Sequence, residues 1–226
     1  MVKPKEQWRH LALLISILFL FLVTPLIALF RHGVLILNAV AAIVLVTAAY
    51  ALMEQKRLFA AAVVLSAISI IATWLLLLTQ QHWAALLSHC CVIVLITFFS
   101  VTILGYVLRA GSVTMDKIFA AICVYLLIGF AWTFIYALLD ELHPGSFVAL
   151  STTSPNDYVA RYMEMRYFSS MTLTTVGYGD IVPHTPATRT WAALEAVVGQ
   201  IYLTVLVARL VGLHIVHAHT KSSRDE

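Results

Sequence analysis

The sequence predicts an all-α integral membrane protein, and three observations carry the prediction. Of 226 residues, 62% are hydrophobic, and the mean hydropathy is +0.93. Only 11% are Asp, Glu, Lys or Arg, against about 25% in a soluble domain. The apolar residues gather into six segments, 11–30, 34–53, 58–79, 83–108, 118–139 and 190–213. Each is close to the ~20 residues that cross ~30 Å of hydrocarbon as a helix.

The first segment follows Lys3, Lys5 and Arg9, as the core of a signal peptide would. It is longer than such a core and no small-x-small cleavage site follows it, so it reads as a retained span, bent at Pro25. Short polar breaks separate the next spans: Arg31-His32-Gly33, Glu54-Gln55-Lys56-Arg57, Gln80-Gln81-His82 and residues 109–117. Cys90, Cys91 and Cys123 all fall in apolar stretches. An odd set of buried thiols gives no disulfide framework, and they read as small packing residues. The net charge of +3 comes from the flanks of the spans and leaves no nucleic-acid footprint. No His/Cys/Asp constellation or phosphate loop is present, which argues against an enzyme.

Orientation follows the Lys/Arg bias. With the amino terminus in the cytoplasm, Lys3, Lys5, Arg9, Lys56, Arg57, Arg109, Lys117, Arg209, Lys221 and Arg224 lie on or near the inner side. Arg31, Arg161, Arg166 and Arg189 then lie outside, ten against four. Both termini are thus expected to be cytoplasmic, and the segment 140–189 extracytoplasmic.

Within that segment, Asp140, Glu141, His143, Pro144 and Gly145 suggest a turn. Ser154-Pro155-Asn156-Asp157 has the pattern of a helix start, with an N-cap serine, proline at the first helical position and an acid at the third. Helix is expected through residues 158–174. Its last part, 164–174, is too short to span and reads as a helix dipping halfway into the membrane. Its carboxyl end would direct partial negative charge at the membrane centre. The run Thr174, Thr175, Val176, Gly177, Tyr178, Gly179, Asp180 follows at once. Gly177 and Gly179 permit positive φ, so successive carbonyls can turn the same way.

This seven-residue string between two spans matches the potassium channel filter signature, and residues 118–213 resemble the pore module of tetrameric potassium channels. The resemblance is specific over 164–212 and architectural elsewhere. It implies an outer helix, a pore helix, a filter and an inner helix, preceded here by four further spans. It implies that carbonyls of Thr175, Val176, Gly177 and Tyr178, with the Thr175 hydroxyl, replace the water around a bare K⁺. Thr174 and Thr175 match the base of that filter, Gly179 its core and Asp180 the acid at its outer mouth. Tyr167 and Phe168 stand where the family has aromatics packed around the filter tyrosine. Gly199, 19 residues beyond Asp180, matches the inner-helix hinge, although a glycine there can equally serve close helix packing. Gln200 falls near a cavity-facing position. An intact Tyr178 argues for potassium over sodium. Met171 departs from the glutamate of some members, and Val182 from an aromatic that binds tetraethylammonium.

The glycine motif occurs once. Irregular backbone at membrane depth is tolerated only when buried in protein or lining a water-filled cavity. One chain cannot enclose an axis, so a cyclic homotetramer is expected. The organisation reads as a four-helix unit over 1–110, a pore unit over 111–213 and a short cytoplasmic tail over 214–226. The fourth span carries no basic residue between Trp83 and Leu108. A voltage sensor needs several charges in the field, so none is expected, and the first four spans read as a scaffold in contact with membrane lipid. His89 is expected to hydrogen-bond between helices. Glu195, an acid inside a span, must face protein or water. It is expected to brace the pore helix through Ser169, Ser170 or Thr172, or else to set the cation potential there. His214, His217 and His219 cluster in the tail and titrate near neutral pH, which makes them pH-sensing candidates.

The function expected is passive, potassium-selective conduction across a plasma membrane, with K⁺ as the permeant ion and no cofactor. The short flanks suggest a prokaryotic inner membrane. The alternatives are a potassium transporter subunit, which would carry four related filter segments, a nonselective cation channel, and a non-conducting regulatory subunit.

Overall fold

The computed structural model describes residues 9–27, 33–53, 55–109, 114–148 and 158–222, and side chains at all of these except 34, 35, 158 and 210–222. Ser154–Asp157, Lys3, Lys5, Arg31, Glu54, Arg224 and the side chains of Lys221, His214, His217 and His219 lie outside that description. The described chain forms seven helices in the order α1 (Arg9–Ile27), α2 (Gly33–Ala51), α3 (Lys56–Thr79), α4 (His82–Leu108), α5 (Met115–Leu142), α6 (Tyr158–Leu173) and α7 (Pro186–Ser222). Two short strands, β1 (Phe147–Val148) and β2 (Val182–Pro183), flank α6 in sequence.

Local sequence sets the ends of these helices. Gln80 closes α3 in the left-handed region at φ 50°, its N–H bonded to the Leu76 carbonyl, as in an αL cap. Thr114 caps α5, its hydroxyl accepting from the Lys117 amide, with Asp116 in the first turn facing the positive end of the helix dipole. Pro186 opens α7, and the Thr185 hydroxyl accepts from the Thr188 amide at 3.2 Å. Proline costs nothing there, because its missing N–H has no intrahelical acceptor.

Among the described residues, α1, α3, α4, α5 and the part Pro186–Arg209 of α7 are long and apolar enough to cross a membrane. The apolar part of α2, Ile36–Ala51, is shorter. At ~1.5 Å per residue, the 37 residues of α7 extend about 55 Å, well beyond a bilayer core. The last apolar span ends at 213. The backbone continues helical through the tail histidines, since nothing between 213 and 222 breaks a helix: no proline or glycine occurs there.

The core is built where α1, α2, α4 and α5 meet. Leu13 and Ile17 of α1, Ala48 of α2, Phe99 and Ile103 of α4 and Val124 of α5 are almost wholly buried. Lipid is as apolar as leucine, so close packing and interhelical hydrogen bonds hold such helices rather than expulsion of water. The α3–α4 seam shows this. Small residues Ala62, Ser69 and Ala72 face α4, whose Ala84, Ala85 and Ser88 are buried. Ser69 donates to the Cys91 carbonyl at 3.1 Å, and the Thr73 and Ser88 hydroxyls lie 3.2 Å apart. His89 departs from expectation. Its Nδ1 has no hydrogen-bond partner, and its ring leans on Phe134 at 6.2 Å between centroids. A ring can be accommodated by apolar contact alone, which sequence could not distinguish from a polar one.

The face opposite the 174–180 loop is tied by polar contacts. Asp116 accepts from Tyr106 at 2.8 Å and lies 2.7 Å from His10 Nδ1, while the His10 and Tyr106 rings stack at 4.8 Å. These three join α1, α4 and α5. Arg209 of α7 donates to the Val107 and Arg109 carbonyls at the end of α4, where its charge complements the negative end of the helix dipole.

Candidate functional site: the 174–180 loop

The segment 174–180 leaves α6 as irregular backbone and is exposed throughout in a single chain. Its geometry begins with the last four carbonyls of α6, which have no intrahelical partners. Thr174 N–H donates to the Ser170 carbonyl at 3.2 Å, and Thr175 N–H to Thr172 at 2.9 Å. Val176 and Gly177 N–H groups both donate to Met171, at 2.9 and 3.1 Å. The Leu173 carbonyl accepts from Tyr125 Oη at 3.3 Å. Each of the four is therefore satisfied.

These bonds orient the loop. In a trans peptide the N–H and the preceding C=O point to opposite sides. With the amides of 175, 176 and 177 directed at α6, the carbonyls of Thr174, Thr175 and Val176 are directed away from it. An ordinary strand would alternate them. The alternation is overcome by positive φ at every second residue: Thr175 at 60°, Gly177 at 54° and Gly179 at 78°. Glycine adopts this region freely. Thr175 has a Cβ and sits there at a cost of order 1–3 kcal/mol, held by its bond to Thr172. The result is a row of unpaired oxygen donors on one side of the loop, the ligand type that hard cations take. Gln200 of α7 faces the base of this row, its Nε2 3.4 Å from Thr175 Oγ1.

The far end of the loop is held separately. Tyr167 Oη donates to Asp180 Oδ2 at 2.6 Å, and the Asp180 carboxylate also accepts from the Ile181 amide. The Tyr167 bond holds the Asp180 carboxyl below its ordinary range and pushes the Tyr167 phenol up to about 12. Beyond Asp180, β2 pairs antiparallel with β1, Val148 opposite Val182 and Phe147 opposite Pro183. His184 N–H and Thr188 Oγ1 both donate to the Ser146 carbonyl. This hairpin-like clasp was not foreseen, because two-residue strands leave no periodic signal.

Behind the loop lies a buried polar cluster. Glu195 of α7 is 0% exposed. Its Oε1 accepts from Ser169 of α6 and its Oε2 from Tyr136 of α5, both at 2.5 Å. The Gly129 carbonyl lies 2.9 Å from the same Ser169 hydroxyl and shares its single proton. One carboxylate thus joins α5, α6 and α7. The bond to Ser169 is the expected brace, and Tyr136 is the partner that sequence did not suggest. Phe168 does not pack around Tyr178 in the single chain. It lies edge-on to Tyr136 and Phe147, at 5.0 and 5.2 Å, because its face of α6 looks back toward α5. Tyr167 spends its hydroxyl on Asp180. Gly199 serves close packing: a Cβ there would overlap the Leu173 carbonyl oxygen and stand 2.9 Å from Leu173 Cδ1.

Among the described residues no group of His, Cys, Asp and Glu is placed to hold a metal ion. The oxygen row of the loop is main chain, a ligand set that such a cluster would not include.

Residues 121–213, which contain the loop and the helices around it, match a family described as an ion channel. The chain is also similar to Protein LctB of Bacillus caldotenax, at 30% identity over 99 residues, 43% of this chain and 72% of the relative. No solved structure matches it. With its long apolar helices and this matched region, the chain is an integral membrane protein and belongs to the ion channel family.

Proposed function

We propose that this protein is one subunit of a homotetrameric, potassium-selective channel that conducts K⁺ passively across a plasma membrane, with six spans per subunit and both termini cytoplasmic. The observation that carries the reading is the loop backbone: amides of 175–177 turned to α6, and carbonyls of 174–176 turned away. Four copies around an axis would bring those oxygens into stacked rings. A ring of carbonyls at the right separation replaces the hydration shell of K⁺, and occupancy of adjacent rings lets ions displace one another in single file.

Each residue then has a role. Thr175, Val176, Gly177 and Tyr178 supply the oxygen rings, and Thr174 the entry below them. Gly179 and Asp180 form the outer mouth, where the exposed carboxylate raises local cation concentration. Gln200 offers an amide to a hydrated ion beneath Thr175. Glu195 holds α6 in place from behind, and Gly199 lets α7 approach the end of α6. The tail histidines are candidates for a response to internal acid. The homotetramer is supported by what one chain leaves bare. Tyr178 is 72% and Val176 51% exposed, and Leu194, Val197, Ile201 and Val205 of α7 are exposed apolar residues that a neighbouring subunit would cover. A sixth span is supported by the seating of α2 along α1, with Ser16 Oγ 2.8 Å from Thr47 Oγ1. No Lys or Arg occurs within α4, so a charge-carrying voltage sensor is not part of the proposal.

Purified protein in liposomes tests the function. A K⁺ gradient should drive flux that an equal Na⁺ gradient does not. Equal rates for the two ions would overturn potassium selectivity, and absence of both fluxes would overturn conduction.

A further inference from the structure

Among the described residues, α6 carries a buried cation that the proposed conduction path does not use. Arg166 lies midway along α6, between the loop anchor Ser170 and the first turn, and is 9% exposed. A guanidinium has five N–H donors and stays charged at any physiological pH. No carboxylate among the described residues pairs with it. Its contacts are of another kind. Nη1 donates to Thr24 Oγ1 of α1 at 3.1 Å. Its Cζ stands 4.3 Å from the centre of the Phe21 ring, also on α1, and 5.9 Å from that of Tyr162 on its own helix.

Burial of a charge without a counter-charge is expensive, so these contacts are where the compensation lies. A ring face within about 6 Å attracts a cation, more strongly once water is excluded. Thr24 is itself wholly buried and donates to the Leu20 carbonyl, so its oxygen is held facing Arg166. It precedes Pro25, where the helix lacks one backbone bond and can bend. A methionine or leucine at 166 would satisfy an apolar seam between α1 and α6 at less expense. The arginine adds direction and a specific reach to α1.

The other end of the connection is the loop. The Arg166 carbonyl accepts from Ser170 Oγ at 2.8 Å. The Ser170 carbonyl in turn accepts from Thr174 N–H and Thr174 Oγ1. One residue on, Met171 takes the amides of Val176 and Gly177. A helix as short as α6 moves as a rigid body, so a shift at Arg166 reaches the carbonyl row within two turns.

We propose that Arg166 is a positioning residue that straps α6 to α1, and that through it the helices α1–α4 set the seat of the loop and so the lifetime of its conducting arrangement. This rests on the reading of the loop as a conduction filter, but the strap itself can be tested without ions. Three variants suffice: R166M removes charge and reach, R166K keeps the charge, and F21L removes the ring from α1. Amide hydrogen exchange in the reconstituted full-length protein reports Thr175, Val176 and Gly177 directly. F21L, which removes the cation–ring contact alone, should speed that exchange about tenfold, and R166M, which also removes the bond to Thr24, should speed it more. R166K should recover part of the protection, and the double variant F21L/R166M should be no worse than R166M alone. Unchanged exchange in R166M, or additive effects in the double variant, would overturn the strap. In bilayers the same variants should shorten the conducting lifetime of channels that still open. Conducting R166M channels with wild-type lifetime would overturn the link to conduction. A wild-type protein that conducts nothing would instead refute the proposed function, leaving the exchange result to judge the strap.

Discussion

Replacing Glu195 perturbs the site most informatively, because three helices meet on one side chain. In E195A, the Tyr136 hydroxyl loses its acceptor in a buried setting, and an orphaned buried donor costs ~1–3 kcal/mol. Ser169 retains the Gly129 carbonyl at 2.9 Å, so its loss is smaller. Truncation also leaves a cavity, adding ~1 kcal/mol. Against this stands the relief of desolvating a carboxylate, which limits the net loss to about 2–4 kcal/mol. E195Q keeps one acceptor oxygen, and the Tyr136 hydroxyl can rotate to accept from the new amide, so its loss should be about 1 kcal/mol. The double variant Y136F/E195A removes both partners and should recover part of the E195A loss, since shape-matched removal of a pair is far cheaper than orphaning one member. Reversible unfolding in mixed micelles measures the stabilities, and liposome flux measures what conduction survives. E195Q should assemble and conduct. An E195A protein as stable as wild type, or strictly additive losses in the double variant, would refute the account of Glu195 as a brace. A silent but fully assembled E195Q would show that charge, rather than bracing, is what conduction needs.

Two further outcomes follow from the geometry and two from the sequence. G199A places a methyl on the Leu173 carbonyl, an overpacking worth ~1–3 kcal/mol, so it should lower thermal stability and flux together; normal stability would contradict the close approach of α6 and α7. The Asp180 carboxyl is depressed by the Tyr167 hydroxyl, so their bond is complete above the ordinary carboxylate pKa and is lost only as pH falls through the lower folded value. Over about pH 5–8 the outer mouth should hold its charge, and Y167F should raise the Asp180 pKa as followed by NMR titration; an unmoved value would remove Tyr167 from that role. Val182 offers no cation–π ring, so external tetraethylammonium should block only weakly, and sub-millimolar block would contradict this. If internal acid alters opening through the tail, replacing His214, His217 and His219 together with Gln should abolish that response, and an unchanged response would end the idea.

The helices were legible because lipid selects them by composition. Apolar stretches long enough to span reappear as α1, α3, α4, α5 and α7, with ends displaced by a few residues where capping rather than hydropathy decides. The last helix runs on past the apolar span because 213 is only where hydropathy falls, and helix geometry has no cause to stop there. The loop conformation was legible because Gly177 and Gly179 announce positive φ, whereas Thr175, which shares it, carries no such sign. Glu195 was found by a simple rule, that an acid within a span needs a partner. Ser169 stood at plausible spacing, but Tyr136 lies 59 residues away and is one of nine tyrosines. Arg166 was counted among the residues of the outer side, because charge bias carries no information about depth. Its partners on α1 emerge only when two segments 142 residues apart are folded together.

The central claim concerns main-chain oxygens converging on an ion, and thallium(I), a K⁺ substitute visible by its anomalous scattering, can locate that ion directly. Diffraction from the assembled protein should show four chains about one axis, with a column of thallium peaks between the carbonyls of Thr175, Val176, Gly177 and Tyr178. An assembly of another order, or thallium absent from that axis, would contradict the account.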